Sequence, residues 1–332
     1  MTKLIVENKV PFISELVEPL FDEVVYMSDA EMTPESVRDA DAIIGRTRTR
    51  CGSALLTGSR CRFCATATIG LDHFETGWLK ANGITYANAP GCNKPAVAQW
   101  VCAAILRLCP SPEGLTLGIV GVGNIGSLVA KWARGLGMNV LLNDPPRAEA
   151  EGTDGFVSLD EIGRRADIVT FHTPLTREGA HPSYHLGDAR FFASLERKPV
   201  ILNASRGAVV DNEALCDALD AGQVRAAAID TWEGEPKISC RLLEKTAIAT
   251  PHIAGYSIEG KHRATYMVVE ALRRHLGLEP GDASARVRPI PESVTAEAVR
   301  ASYDIMADDA LLRRDPEAFE TTRDTYALRH EI

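Results

Sequence analysis

No stretch of the chain stays apolar for anything near the roughly 20 residues that a bilayer-spanning helix requires, so no membrane association is expected. Basic charge is also scarce. With 36 Lys and Arg against 45 Asp and Glu, the net charge of −9 argues against nucleic acid as a partner. A small anionic ligand stays open, because a local basic pocket can sit within an acidic surface. The opening MTKLIVENKVPF turns polar at Glu7 and Asn8, too early for a secretory h-region, and a cytoplasmic location is the expectation. The eight cysteines are scattered, and only Cys61 and Cys64 form a C-x-x-C. Without a second pair or a histidine partner at ligand spacing, no metal is expected and the thiols read as reduced and buried. A repeat of solenoid period is missing as well.

What is present is alternation. At 332 residues, 45% hydrophobic and 24% charged, the chain has the composition of a soluble protein and the length of two domains. KLIVEN, EVVYM, DAIIGR, RFCATATIG and ITYANAP read as strands, with FISELVEPLF and TGWLKANG as helices, the latter closing on Gly83. The run from Asn93 to Leu108 reads as a long apolar helix with Pro95 near its start. CPSPEG then breaks the chain. Beyond it the strands TLGIV, MNVLLND, ADIVTFHTP, PVILNAS, RAAAID and TAIATPH alternate with helices, the mark of a parallel sheet with right-handed crossovers. The segment EGKHRATYMVVEALRRHLG predicts a helix returning to the first lobe, and short Arg-rich helices follow Gly281.

LGIVGVGNIGSLVAKWA sets Gly121, Gly123 and Gly126 in G-x-G-x-x-G between a buried strand and an amphipathic helix. Gly121 makes the tight turn, Gly123 admits a pyrophosphate to the backbone, and Gly126 packs helix on strand. Asn124 and Ile125 begin the helix, whose N-terminus attracts phosphates. Asp144 ends the next strand about twenty residues on, placed for a ribose hydroxyl. Its charge would repel a 2′-phosphate and so favours NAD over NADP, although Arg147 lies close enough to soften that preference.

Three polar residues follow strand ends, where open parallel sheets bind ligands: Arg206, Glu235 and His252. Arg206 can grip a carboxylate bidentately. His252 can take a hydroxyl proton while hydride leaves the same carbon, and Glu235 on its other ring nitrogen would fix the tautomer. Rivals for the histidine are His172, in a turn flanking the cofactor, and His181 and His185, which read as loop decoration.

The glycine motif, SRGAVVDNEAL, DTWEGEP and PHIAG, in this order, resemble the D-isomer-specific 2-hydroxyacid dehydrogenases from the N-terminus to about Gly277. That resemblance makes Arg206, Glu235 and His252 catalytic. It implies NAD contacts at Gly121, Gly123, Asn124, Ile125, Gly126, Asp144, Thr173, Ala204, Arg206, Asp230 and Gly255. It implies substrate contacts at Thr47, Thr68, Tyr256 and Arg206. Taken by itself, Asp230 could equally cap a strand end. TATIGLDH, NAPGCN, DPPR, TFHTPL and HIAGYSIEGK resemble members acting on a small phosphorylated 2-hydroxy acid in vitamin B6 synthesis, and the Arg46–Arg50 loop RTRTR suits a phosphate ester.

The implied fold is α/β and two-lobed, with substrate in the cleft between the lobes. Residues 1–92 with 256–280 would form a flavodoxin-like substrate lobe, 93–255 a Rossmann-type doubly wound NAD domain, and 281–332 a shortened dimerisation tail. CPSPEG and this tail are shorter than the family's usual segments, but YDIMADDALLRR still resembles part of its dimerisation region, implying a homodimer. Two alternatives stay open: a dehydrogenase of another D-2-hydroxy acid, of phosphoglycerate or glyoxylate/hydroxypyruvate type, or an NADH-sensing scaffold without turnover.

Overall fold

The computed structural model describes residues 1–281 and 288–332, and the chain divides into two compact units. Met1–Asn93 with Ile258–Pro289 make the first, and Lys94–Ser257 with Ile290–Ile332 the second.

The first unit holds a five-stranded parallel sheet in the order β2-β1-β3-β4-β5. Its strands are β1 (Lys3–Glu7), β2 (Glu23–Met27), β3 (Ala42–Gly45), β4 (Phe63–Thr66) and β5 (Thr85–Ala87). AIIG and FCAT are buried at every position, as strands covered on both faces must be. Helix Ile258–His275 lays Ala264, Val268, Val269 and Leu272 against Leu4, Val6 and Phe63. The opposite face packs Ile5, Ile43 and the reduced thiols Cys51, Cys61 and Cys64. FISELVEPLF makes only Ser14–Val17 and a 3₁₀ turn at Glu18–Leu20, because Pro19 has no N–H to continue an α-helical ladder.

The second unit carries six parallel strands in the order β11-β10-β9-β8-β6-β7. They are β6 (Thr116–Val120), β7 (Asn139–Asn143), β8 (Ile168–Phe171), β9 (Val200–Asn203), β10 (Ala226–Ile229) and β11 (Ile248–Ala249). The chain runs outward from β6 to β7, then crosses back over β6 to β8. That reversal opens a crevice at the carboxyl ends of β6 and β8. Helix Lys94–Leu108 is buried from Pro95 through Leu106, while Asn124–Gly135 buries a single face. Short helices Pro145–Glu151, Leu159–Arg165 and Cys240–Lys245 escape periodicity, although Asp144, Ser158 and Ser239 cap their starts by side-chain acceptance.

The boundaries differ from the sequence reading, and Asn93 groups with the first unit. Tyr256 and Ser257 group with the second unit, and so does Ile290–Ile332, which does not stand apart as a tail. The reason lies at β11, an edge strand that needs a cover. Helix Ile305–Arg314 supplies one: Asp309 accepts the Ala249 N–H at 2.7 Å, and Arg313 donates to Leu243 O and Thr246 O, both at 2.7 Å.

Candidate active site

The crevice between β6 and β8 is built by glycines. Gly121 has φ of 91°, and a Cβ there would lie 2.7 Å from the His172 carbonyl carbon. A Cβ on Gly126 would stand 2.0 Å from Gly121 O, so helix and turn touch only because Gly126 lacks a side chain. A Cβ on Gly123, by contrast, would meet nothing within 4 Å: the backbone there faces open space at the start of the helix. A cavity of about 490 Å³ adjoins it, with Val122, Gly123, Asn124, Lys94, Lys131 and Arg147 in its lining.

Asp144 is already employed by the turn. Its Oδ2 accepts the Val122 N–H at 2.7 Å and its Oδ1 the Arg147 N–H at 3.1 Å. One bond per oxygen leaves acceptor capacity for ribose hydroxyls. The Arg147 guanidinium turns to Glu151, at 2.7 and 2.6 Å, and to Val122 O at 2.7 Å. Deeper in, His172 Nε2 meets Thr170 Oγ1 at 3.0 Å, and burial pushes its pKa down to about 3, so the ring is neutral. Thr173 Oγ1 is buried without a protein partner, an orphaned group beside the glycine turn that a bound dinucleotide would satisfy.

Arg206, Glu235 and His252 follow β9, β10 and β11, three adjacent strands. Asn203 organises the first connection: Oδ1 accepts from Ser205 N–H and Oγ, and Nδ2 donates to Arg206 O at 3.0 Å. Arg206 Nη1 donates to Ser205 O at 2.9 Å. A Cβ on Gly207 would sit 2.0 Å from the Trp232 carbonyl, so the Arg206 segment lies directly against the segment leading to Glu235.

Glu235 Oε2 accepts the Trp232 N–H at 3.1 Å, and Oε1 meets His252 Nδ1 at 2.6 Å. A carboxylate partner requires the hydrogen on Nδ1, which leaves Nε2 as the nitrogen for proton transfer. Burial alone would raise the Glu235 pKa. The charge and hydrogen bond of His252, with the Trp232 N–H, bring it below the usual carboxylate value. Asp230 holds the connection from beneath. Its carboxylate accepts Thr250 Oγ1–H at 2.6 Å, Ile253 N–H at 2.8 Å and Ala254 N–H at 3.1 Å, and burial raises its pKa against the lowering effect of His252 and these donors.

Among the rival histidines, His181 reaches Glu149 at 2.8 Å on the surface. His185 does more than decorate a loop. It is half-buried between Glu233 at 2.9 Å and Asp211 at 3.4 Å, tying together the connections after β8, β9 and β10. These ligand atoms lie within 4.8 Å of one another, but each carboxylate faces its own ring nitrogen, so the imidazole bridges the two.

In the first unit, Thr47 lies exposed just beyond β3 and Thr68 just beyond the neighbouring β4. The Thr47 loop is pinned from below by buried Glu7, which accepts Arg46 N–H and Thr49 Oγ1–H, both at 2.7 Å. Thr49 therefore serves the loop's shape. Thr68 shares a 2.7 Å hydrogen bond with Thr66. Gly255 and Tyr256 continue the His252 loop, and the Tyr256 ring meets Tyr326 edge-on at 6.1 Å.

Residues near the site that the sequence did not flag come from the C-terminal segment. Burial would lower the pKa of Arg323, but the nearby Tyr256, Glu320 and Glu235 raise it above the ordinary value. Arg329 hydrogen-bonds carbonyls of the His252 loop. No local motif marks either residue, since the groups of the site that they meet, the His252 loop and Glu235, belong to connections far upstream in the chain.

Residues 98–254 match the NAD binding domain of the D-isomer specific 2-hydroxyacid dehydrogenases. An erythronate-4-phosphate dehydrogenase from Bacteroides thetaiotaomicron is 47% identical over 99% of this chain and 97% of its own length. One from Escherichia coli O157:H7 is 39% identical over 99% of this chain and 92% of its own. The holo form of Rhodotorula graminis D-mandelate dehydrogenase superposes with a TM-score of 0.71 at 25% identity, covering 82% of this chain and 94% of that one.

Proposed function

The chain belongs to the D-isomer-specific 2-hydroxyacid dehydrogenase family and is an NAD-dependent oxidoreductase, and from that premise we propose that it oxidises 4-phospho-D-erythronate. The product would be (R)-3-hydroxy-2-oxo-4-phosphooxybutanoate, a step in pyridoxal 5′-phosphate synthesis. The observation that carries the reading is the 2.6 Å contact between His252 Nδ1 and Glu235 Oε1 at the ends of adjacent strands, in a chain whose full-length relatives bear that activity.

NAD, when bound, supplies the acceptor for hydride. Gly121, Gly123, Asn124, Ile125, Gly126, Asp144, Thr173, Ala204, Asp230 and Gly255 are the residues proposed to hold it. His252 Nε2 takes the C2 hydroxyl proton as the C2–H bond breaks, and Glu235 stabilises the imidazolium that results. Arg206 binds the substrate carboxylate through its planar fork and orients C2. Thr47, Thr68 and Tyr256 are proposed as further substrate contacts. A positioned base of this kind contributes on the order of a hundred- to ten-thousand-fold in rate. The reading extends to a homodimer in the cytoplasm, supported by the resemblance of residues 303–314 to part of the family's dimerisation region.

The test is to incubate pure protein with 4-phosphoerythronate and NAD, with a 2-oxo acid in a parallel sample, and follow reduced nicotinamide and products. Turnover of unphosphorylated acids as good as that of phosphoerythronate would favour a different D-2-hydroxy acid, and absence of all turnover would favour a sensing scaffold. His252→Ala is expected to lower kcat about a hundredfold or more at neutral pH while NADH binding stays nearly intact. Loss of NADH binding instead would contradict the assignment.

A further inference from the structure

The peptide following His252 is clamped on both edges. Its N–H groups, on Ile253 and Ala254, donate to the Asp230 carboxylate. Its carbonyls accept from a single guanidinium: Arg329 Nη1 donates to Ile253 O at 3.1 Å and Nη2 to Ala254 O at 2.5 Å. The same side chain reaches Ala96 O at 3.1 Å, Gln99 Oε1 at 3.2 Å and the Tyr326 hydroxyl at 3.3 Å, with its Cζ 4.3 Å from the centre of the Tyr303 ring. Tyr303 and Tyr326 both donate to Asp308, at 2.6 and 2.8 Å. Backbone pairing continues the strap, for Arg329 forms a parallel bridge with Ser257, whose Oγ donates to buried Glu331 at 2.7 Å.

His252 needs such support. Its φ of 56° lies in the left-handed region, which costs a residue with a side chain about 1–2 kcal/mol. A residue keeps that conformation only where its surroundings over-determine it. Five N–H donors fixed in one plane can serve carbonyls on several segments at once; an ammonium offers only three, on a flexible stem.

We propose that Arg329 is a positioning residue for the reaction, clamping the 253–254 peptide so that His252 stays in its left-handed conformation with Nδ1 on Glu235. The inference rests on the reading of His252 as the base. It makes the C-terminal segment part of the catalytic unit.

The experiment compares Arg329→Met, Arg329→Lys and His252→Ala, each with its Tm, its affinity for NADH and its steady-state constants. Arg329→Met is expected to lose about ten- to a hundredfold in kcat, with KM and NADH affinity within about threefold of the parent, since a displacement of one ångström can cost that much. Arg329→Lys should recover part of the loss. Combined with His252→Ala, Arg329→Met should add nothing. Losses that multiply in the double variant, or kcat that falls only in step with Tm, overturn the proposal. Should Arg329→Met not fold, Arg329→Lys and Ser257→Ala carry the comparison, and parental kcat in both overturns it. Undiminished turnover by His252→Ala would remove the reading of the base itself, a distinguishable failure.

Discussion

Gly207 shows how closely single residues are constrained here. The backbone beside Arg206 presses on Trp232 so tightly that a methyl group would land 2.0 Å from its carbonyl carbon and oxygen. Neither partner is a flexible side-chain tip, so one segment must move. Gly207→Ala is expected to destabilise by about 3 kcal/mol and to raise KM for the hydroxy acid, because moving the segment moves Arg206. Denaturant midpoints and steady-state kinetics check both outcomes. Position 207 sits in SRGAVVDNEAL, but its φ is unexceptional, so only the packing explains the glycine.

At the scale of elements, the strands were easiest to read and the covers hardest. VILN, AAAI and IVTF are short, bounded apolar runs, and the G-x-G-x-x-G turn announces its helix. Local pattern therefore sufficed to locate Arg206, Glu235 and His252 after their strands. The contact between His252 and Glu235 spans seventeen positions and depends on β10 lying beside β11, which no local pattern encodes. The helices over the sheet edge were less legible still, because IMADDALLRR carries Asp309 for a strand sixty residues upstream. Asp309 there joins the Ala249 N–H to Arg313. Asp309→Ala would leave a buried N–H unpaired and the guanidinium without its carboxylate, a loss of about 3 kcal/mol expected in chemical denaturation. Asp309→Asn, still able to accept one bond, should lose less.

For the whole molecule, acid is the informative perturbation. His172 is neutral in the folded chain down to about pH 3, whereas an unfolded histidine takes up its proton near pH 6.5. The unfolded state thus binds more protons between those values, and stability must fall as pH drops through that window. Glu235 acts in the same direction lower down: its depressed pKa contributes stability that is lost as pH falls below the ordinary carboxylate value. The expected outcome is a Tm that declines from about pH 6 to about pH 4 in the parent and declines less in His172→Gln, measured by calorimetry across that range.

The double duty of Asp144 has a further consequence. Because that carboxylate fastens Val122 and starts the helix at Pro145 as well as being the proposed partner of the nucleotide ribose, coenzyme choice and turn architecture would share one side chain. Redesign toward the phosphorylated coenzyme by exchanging it for a small or basic residue would dismantle the scaffold before altering the preference. A workable route must first install a substitute anchor for the turn and only afterwards change the charge.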